Sequence, residues 1–452
     1  MKGEALRVMR LQRIMGLVTA LVILLPMVIG EARARSLIRD AEIEQTLRNM
    51  SVPLMHAAGI SPSTVNIYII QDGSLNAYVA GGRNIFLHTG LLMDLKTPEE
   101  LLGVIAHEIG HLAGGHQAQR AINLRNARGP ALLGLLVGIG VGIAGGGDAG
   151  AGVAAATQAA IIRKFLANTR AQEASADQAA LSYLIRAGID PRGLQKVIET
   201  FRGQEVLAIG SVDPYVLTHP LSTNRMTLIE RRVAETATRN WPQDPNRDYW
   251  HERMRAKLDG FLRDPTRTLD KLEGKPDSEP NLYRKAVAFH RDRDLDRALA
   301  AVDKLIKMRP RDAYYHELKG QILMESGRPA DAIPYYRNAV RLAPGLPLLK
   351  SGLGQALLAL NQPKANAEAL KILQAARSAD LADITALRNL STAYERAGNR
   401  GMATLAAAER YALIGDTKSA IQLARRADGI LPKGSPGWLR AQDILRLDRG
   451  DE

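Results

Sequence analysis

Two histidines four residues apart on one helix, if they hold a metal, oblige a chain to bring further ligands from elsewhere. This chain carries such a helix in T-P-E-E-L-L-G-V-I-A-H-E-I-G-H-L-A-G-G-H, Thr97 to His116. Thr97 suits the N-cap, Pro98 the first helical position, and Glu100 completes a capping box. Leu101, Leu102, Ile105, Ile109 and Leu112 recur at helical spacing, and Gly114-Gly115 stops the run. His107 and His111 then project from one face about a turn apart, so two imidazoles can meet one zinc ion. Glu108 is placed to reach a water on the metal rather than the metal itself. That is the H-E-x-x-H arrangement of a zinc hydrolase. The same five residues also fit an ordinary amphipathic helix, so their meaning rests on a third ligand.

Zinc in a hydrolase takes three protein ligands and leaves one position open. In the pattern H-E-x-x-H-x-x-G-x-x-H the third histidine falls at position 117, which is Gln117, so His116 is set aside as a ligand. His56 and His88 read as plain surface or core residues. A better partner lies in R-A-Q-E-A-S-A-D-Q-A-A (Arg170 to Ala180), where strong helix formers place Glu173 and Asp177 one turn apart. Glu173 can ligate the metal while Asp177 accepts a hydrogen bond from the far nitrogen of a ligating histidine. The plain alternative is a solvated helix face bearing two acids.

Composition excludes other chemistries. With no cysteine among 452 residues, disulfides, thiolate ligands and cysteine nucleophiles are ruled out. The formal charge of +13 is spread along the chain, and aromatics at 4% are too few for base-stacking platforms, so nucleic acid is not an expected partner. The length suggests two or three domains. The first 34 residues read as an export signal: Lys2, Arg7, Arg10 and Arg13 precede an apolar run from Ile14 to Ile29, and Ala32-Arg33-Ala34 supplies a cleavage site. The remainder is therefore expected outside the cytoplasm, in the periplasm, with an uncleaved anchor as the alternative.

Ser36 to Ala58 carries helical periodicity, interrupted at Pro53. A β-rich run from Val65 to Ile70 follows, then Asn76–Ala80 and Asn84–His88 joined by a hairpin turn at Gly81-Gly82-Arg83. A small sheet thus precedes the histidine helix, and an edge strand there could pair with an extended substrate.

H-E-I-G-H at His107–His111, R-x-x-E-x-x-A-D at Arg170, Glu173, Ala176 and Asp177, and the later Thr218-His219-Pro220 with Arg225 occur together, after Asn76-Ala77. In these motifs the chain from about Arg35 to Glu235 resembles the gluzincin-type zinc metalloproteases that include the CAAX prenyl endopeptidases, the HtpX-type quality-control proteases and their periplasmic BepA-like relatives. The resemblance implies zinc on His107, His111 and Glu173, with Glu108 as general base and Asp177 orienting a ligand. It also gives His219 a meaning: either an inhibitory plug in the open coordination position, or a group that polarises the substrate carbonyl.

Between the two motif helices, 130–162 is apolar and glycine-rich. A single membrane crossing there would separate His107 from Glu173, so the stretch is read as an apolar hairpin turning at Gly145–Asp148, able to act as a lid or touch a membrane surface. Residues 266–278 read as a linker. Beyond it Pro310 and Pro344 are 34 residues apart, the tetratricopeptide period, with Gly320, Ala332 and Tyr336 in register. About four helix pairs are expected over 279–448, forming a solenoid whose concave face binds a protein partner. The expected architecture is mainly α: a zincin-type α+β metalloprotease domain over 35–265, then a tetratricopeptide solenoid. The expected function is an exported zinc endopeptidase that cleaves misfolded or stalled envelope proteins, its repeats binding clients or outer-membrane assembly machinery. The alternative is a periplasmic chaperone or assembly factor with latent proteolysis.

Overall fold

The computed structural model describes residues 37–119, 169–202 and 219–447. The signal segment 1–34 and the hairpin 130–162 lie outside the described residues. Among the described residues no helix is long and apolar enough to cross a membrane.

A two-residue strand, β1 (Leu37–Ile38), leads into α1 (Ala41–Ala57), which Asp40 caps by accepting from the backbone N–H groups of Glu42 and Ile43. The interruption expected at Pro53 does not occur, and α1 runs through it. Proline removes only the bond to the carbonyl four residues back, and both Pro53 and Asn49 are exposed, so that carbonyl faces solvent. Strands β2 (Asn66–Ile70), β3 (Ala77–Ala80) and β4 (Asn84–His88) follow, and the sheet order is β1-β2-β4-β3. β2 is parallel to β4, and β3 and β4 form the expected hairpin. Gly81 and Gly82 take positive φ of 57° and 90° in its turn, which favours glycine there. β3 is an edge. The Asn76 carbonyl accepts from His88 N–H on β4 at 3.0 Å, so by strand alternation the Ala77 carbonyl points to the open side.

After the short α2 (Thr89–Asp94), α3 (Pro98–Ala113) begins with the expected capping box and ends at Gly114. A helix over 169–186, α4, and α5 (Arg192–Thr200) pack on it. Their contact depends on two glycines. A Cβ on Gly103 would meet the Leu194 backbone nitrogen of α5 at 2.7 Å, and one on Gly110 the Ala176 carbonyl oxygen of α4 at 2.8 Å. Leu47 and Leu54 of α1, Ile69 and Ile85 of the sheet, Leu101 and Ile105 of α3, and Leu181 and Leu184 of α4 share one core. Next come α6 (Thr223–Ala234), α7 (Pro245–Leu262) and α8 (Pro265–Leu272).

The repeat region builds ten helices among the described residues: α9 (Glu279–Arg291), α10 (Leu295–Met308), α11 (Ala313–Glu325), α12 (Pro329–Leu342), α13 (Pro347–Ala359), α14 (Pro363–Ala379), α15 (Ile384–Arg396), α16 (Arg400–Leu413), α17 (Thr417–Asp428) and α18 (Pro436–Arg446). That makes five pairs rather than four. The last repeats keep the helical pattern but lose the consensus residues that would mark their boundaries. Small residues act as expected: a Cβ on Gly320 would lie 2.9 Å from the Tyr336 ring.

The solenoid meets the N-terminal domain through buried charge. Arg253 of α7 hydrogen-bonds Glu42 of α1 and reaches Asp312, the cap of α11, at 2.5 and 2.9 Å. The Tyr283 hydroxyl of α9 donates to Glu42 at 2.5 Å, and Lys257 of α7 pairs with Asp40 at 2.7 Å. Glu42, Arg253 and Lys257 are almost wholly buried. Buried charges persist only when paired, so these contacts fix how the two parts sit together.

Candidate metal centre

Four side chains from three segments converge. His107 and His111 come from α3, Glu173 from α4, and His219 from the turn before α6, and one ligand atom from each lies within 4.8 Å of the others. The Nε2 atoms of His107 and His111 are 3.0 Å apart, and His219 Nδ1 is 3.2 Å from both His107 Nε2 and Glu173 Oε2. Glu173 reaches His107 and His111 at 3.3 Å. Donors on a tetrahedron with bonds of about 2.0–2.1 Å would be separated by roughly 3.4 Å, so the cage has the dimensions of a zinc site.

The chemistry of the donors agrees. His107 Nδ1 lies 2.9 Å from Asp177 Oδ1, so its proton sits on that nitrogen and the Nε2 lone pair faces inward. His219 Nε2 is 3.1 Å from the Ala77 carbonyl, an acceptor only, so its Nδ1 lone pair also faces inward. When these rings are neutral, their nitrogen lone pairs meet beside a carboxylate, an arrangement suited to a cation. The residues present fit a zinc ion.

Outer contacts hold this set. Arg225 of α6 donates to both oxygens of Asp177 at 2.6 and 2.9 Å, and to the carbonyls of His219 and Pro220 at 3.3 and 2.8 Å. Burial works against the Asp177 carboxylate, but the guanidinium and His107 hold it below the ordinary aspartate range. Burial would likewise raise Glu173, yet the three histidines keep it well below the usual carboxylate range. Burial pushes the His111 imidazolium down to about 3, only partly opposed by Glu173. Burial also disfavours charge on His107, but the hydrogen bonds it donates to the Asp177 and Glu173 carboxylates outweigh it and, with no cation bound, raise the ring to about 9. The two ring values differ because only His107 has a carboxylate on each side.

Glu108 is buried beside this cage, its Oε1 3.4 Å from His219 Nε2. Every residue singled out for the site from sequence, His107, Glu108, His111, Glu173, Asp177 and His219, is thus brought together. Two contributors had no role assigned from sequence. Arg225 was visible only as part of a motif, and its pairing with Asp177 spans 48 positions. His116 lies outside the cage and behind His111, its Nδ1 3.0 Å from His111 Nδ1. His88, buried at the end of β4, meets Ser74 Oγ at 2.7 Å and stays away from the cage.

Comparison with known proteins agrees with this geometry. Residues 38–233 match the model of peptidase family M48, and 283–347 and 323–392 match two tetratricopeptide repeat models. The chain is 27% identical over 440 residues to the putative beta-barrel assembly-enhancing protease of Vibrio cholerae, covering 94% of this chain and 88% of that one. It is 25% identical over 414 residues to the beta-barrel assembly-enhancing protease of Escherichia coli K12, covering 88% and 81%. The metalloprotease LoiP of the same strain is 27% identical over 207 residues, 45% of this chain and 77% of that one. The chain thus joins a segment, residues 38–233, that matches peptidase family M48, a family of zinc metallopeptidases, to C-terminal tetratricopeptide repeats.

Proposed function

We propose that this protein is a zinc endopeptidase in which His107, His111 and Glu173 hold the metal and Glu108 is the catalytic base. The observation that carries the reading is the inward convergence of buried donors on one point with a buried carboxylate beside it. Zinc, when bound, supplies Lewis acidity that polarises a scissile carbonyl and acidifies water. Glu108 takes the proton of the attacking water and delivers it to the leaving amine. Asp177 keeps the His107 lone pair directed inward, and Arg225 keeps Asp177 in place. With His219 withdrawn, the edge of β3 offers the Ala77 carbonyl and its neighbours to an extended polypeptide.

The catalytic unit is taken as 35–265 and the client-binding unit as 279–448, joined by 266–278, with 1–34 as a signal that sends the chain to the periplasm. Likeness to beta-barrel assembly-enhancing proteases over most of the chain supports clients among misfolded or stalled envelope proteins, held by the solenoid, with outer-membrane assembly machinery as its partner. A second reading, an assembly factor with latent proteolysis, is favoured by one contact. His219 stands where a substrate or water would enter the cage and also faces Glu108.

The test is zinc content together with casein cleavage, with and without a chelator. Glu108→Gln is expected to keep zinc and fold while lowering cleavage by about 10²–10⁴-fold. Cleavage at the wild-type rate by the purified variant sinks the mechanism.

A further inference from the structure

The two cage histidines on α3 are held from behind by different groups. Asp177 stands behind His107, and His116 behind His111. We propose that His116 is a positioning residue that fixes the tautomer and ring orientation of His111. This rests on the zinc reading given above.

The chain is built to deliver that ring. α3 ends at Gly114, and Gly115 takes φ +62°, which turns the backbone back. His116, itself buried, folds under the end of the helix so that its ring stands 80° to that of His111, the centroids 5.1 Å apart. The returning ring fills the space where a side chain at position 114 would stand. A Cβ on Gly114 would lie 2.5 Å from His116 Nε2 and 2.8 Å from Cε1. Gly114 has φ −75° and ψ −6°, an ordinary helical conformation open to alanine. Its requirement for glycine is the His116 ring and not the backbone.

With His111 Nε2 in the cage, its proton must reside on Nδ1, and His116 Nδ1 accepts it. Without that acceptor His111 is free to rotate or to carry its proton on the wrong nitrogen. An asparagine at 116 sets its Oδ1 on Cγ as histidine sets Nδ1, so it preserves the acceptor without the ring.

The experiment measures the zinc dissociation constant of the full chain by chelator competition at fixed pH. His116→Leu is expected to weaken zinc roughly 10–100-fold, and His116→Asn to restore most of that loss. Gly114→Ala, which displaces the ring without removing it, is expected to weaken zinc in the wild type and to add nothing in a His116→Leu background. Three results overturn the proposal: wild-type affinity in His116→Leu, an equally deep loss in His116→Asn, or an additive Gly114→Ala effect in the double variant. Should His116→Leu fail to fold, Gly114→Ala and His116→Asn still decide the matter. His111→Ala must lose zinc, and retention there sinks the zinc reading itself rather than the role of His116.

Discussion

His219 touches three things at once: the cage through Nδ1, and the Ala77 carbonyl and Glu108 through Nε2. If His219 is the plug proposed above, it competes with substrate at the metal position, at the edge strand and at the base. His219→Ala is expected to raise casein cleavage by roughly tenfold if about a tenth of the molecules are otherwise competent. A fall in cleavage would support carbonyl polarisation in its place. The cage was legible in the sequence because its parts obey local rules: ligands four apart on a helix, acids four apart on another. Arg225 and His116 were not, because each acts only after folding. Arg225 needs α6 laid against α4, and His116 needs a glycine turn to bring its ring back under α3.

Helix packing decides whether local rules become a site. Gly110, the residue between Ile109 and His111, lets α3 approach the backbone of the helix carrying Glu173. Gly110→Ala is expected to cost about 1–3 kcal/mol by overpacking and to weaken zinc, read by thermal unfolding and chelator competition. Wild-type values for both would show that the helices have room to spare. Periodicity predicted α3 with its caps and the β3–β4 hairpin, but not β1, which is only two residues long and owes its existence to pairing with β2. Helix α7 contributes a different sensitivity. His251 is buried on it, and burial, helped by Arg255, lowers its pKa to about 4 from 6.5. The unfolded chain takes up the proton first, so the stability from keeping this ring neutral is present above pH 6.5 and drains away as pH falls towards 4. His251→Leu should remove up to about 3 kcal/mol of acid sensitivity over that window, seen as a flatter dependence of Tm on pH. An unchanged slope would refute it.

The structure argues against a clean cut between the repeats and the N-terminal domain. Removing α9 and α11 takes the Tyr283 hydroxyl from Glu42, Asp312 from Arg253 and Glu317 from Lys257, and leaves of the buried network only the pairs that Arg253 and Lys257 make with Glu42 and Asp40. A chain ending at Lys275 is expected to melt well below the full protein, by an amount equivalent to roughly 3–5 kcal/mol. A truncated chain with unchanged Tm and peptidase activity would show the network to be dispensable. Sequence could not foresee this interface, because its charges read as solvated helix faces until α1, α7 and α11 are set side by side. Helix α1 holds Glu42 in that network while Leu47 and Leu54 pack in the core that carries α3. If client binding on the solenoid alters that helix enough to change affinity at the metal cage, thermodynamic linkage makes the influence mutual: an inhibitor in the cage must alter client affinity by the same factor.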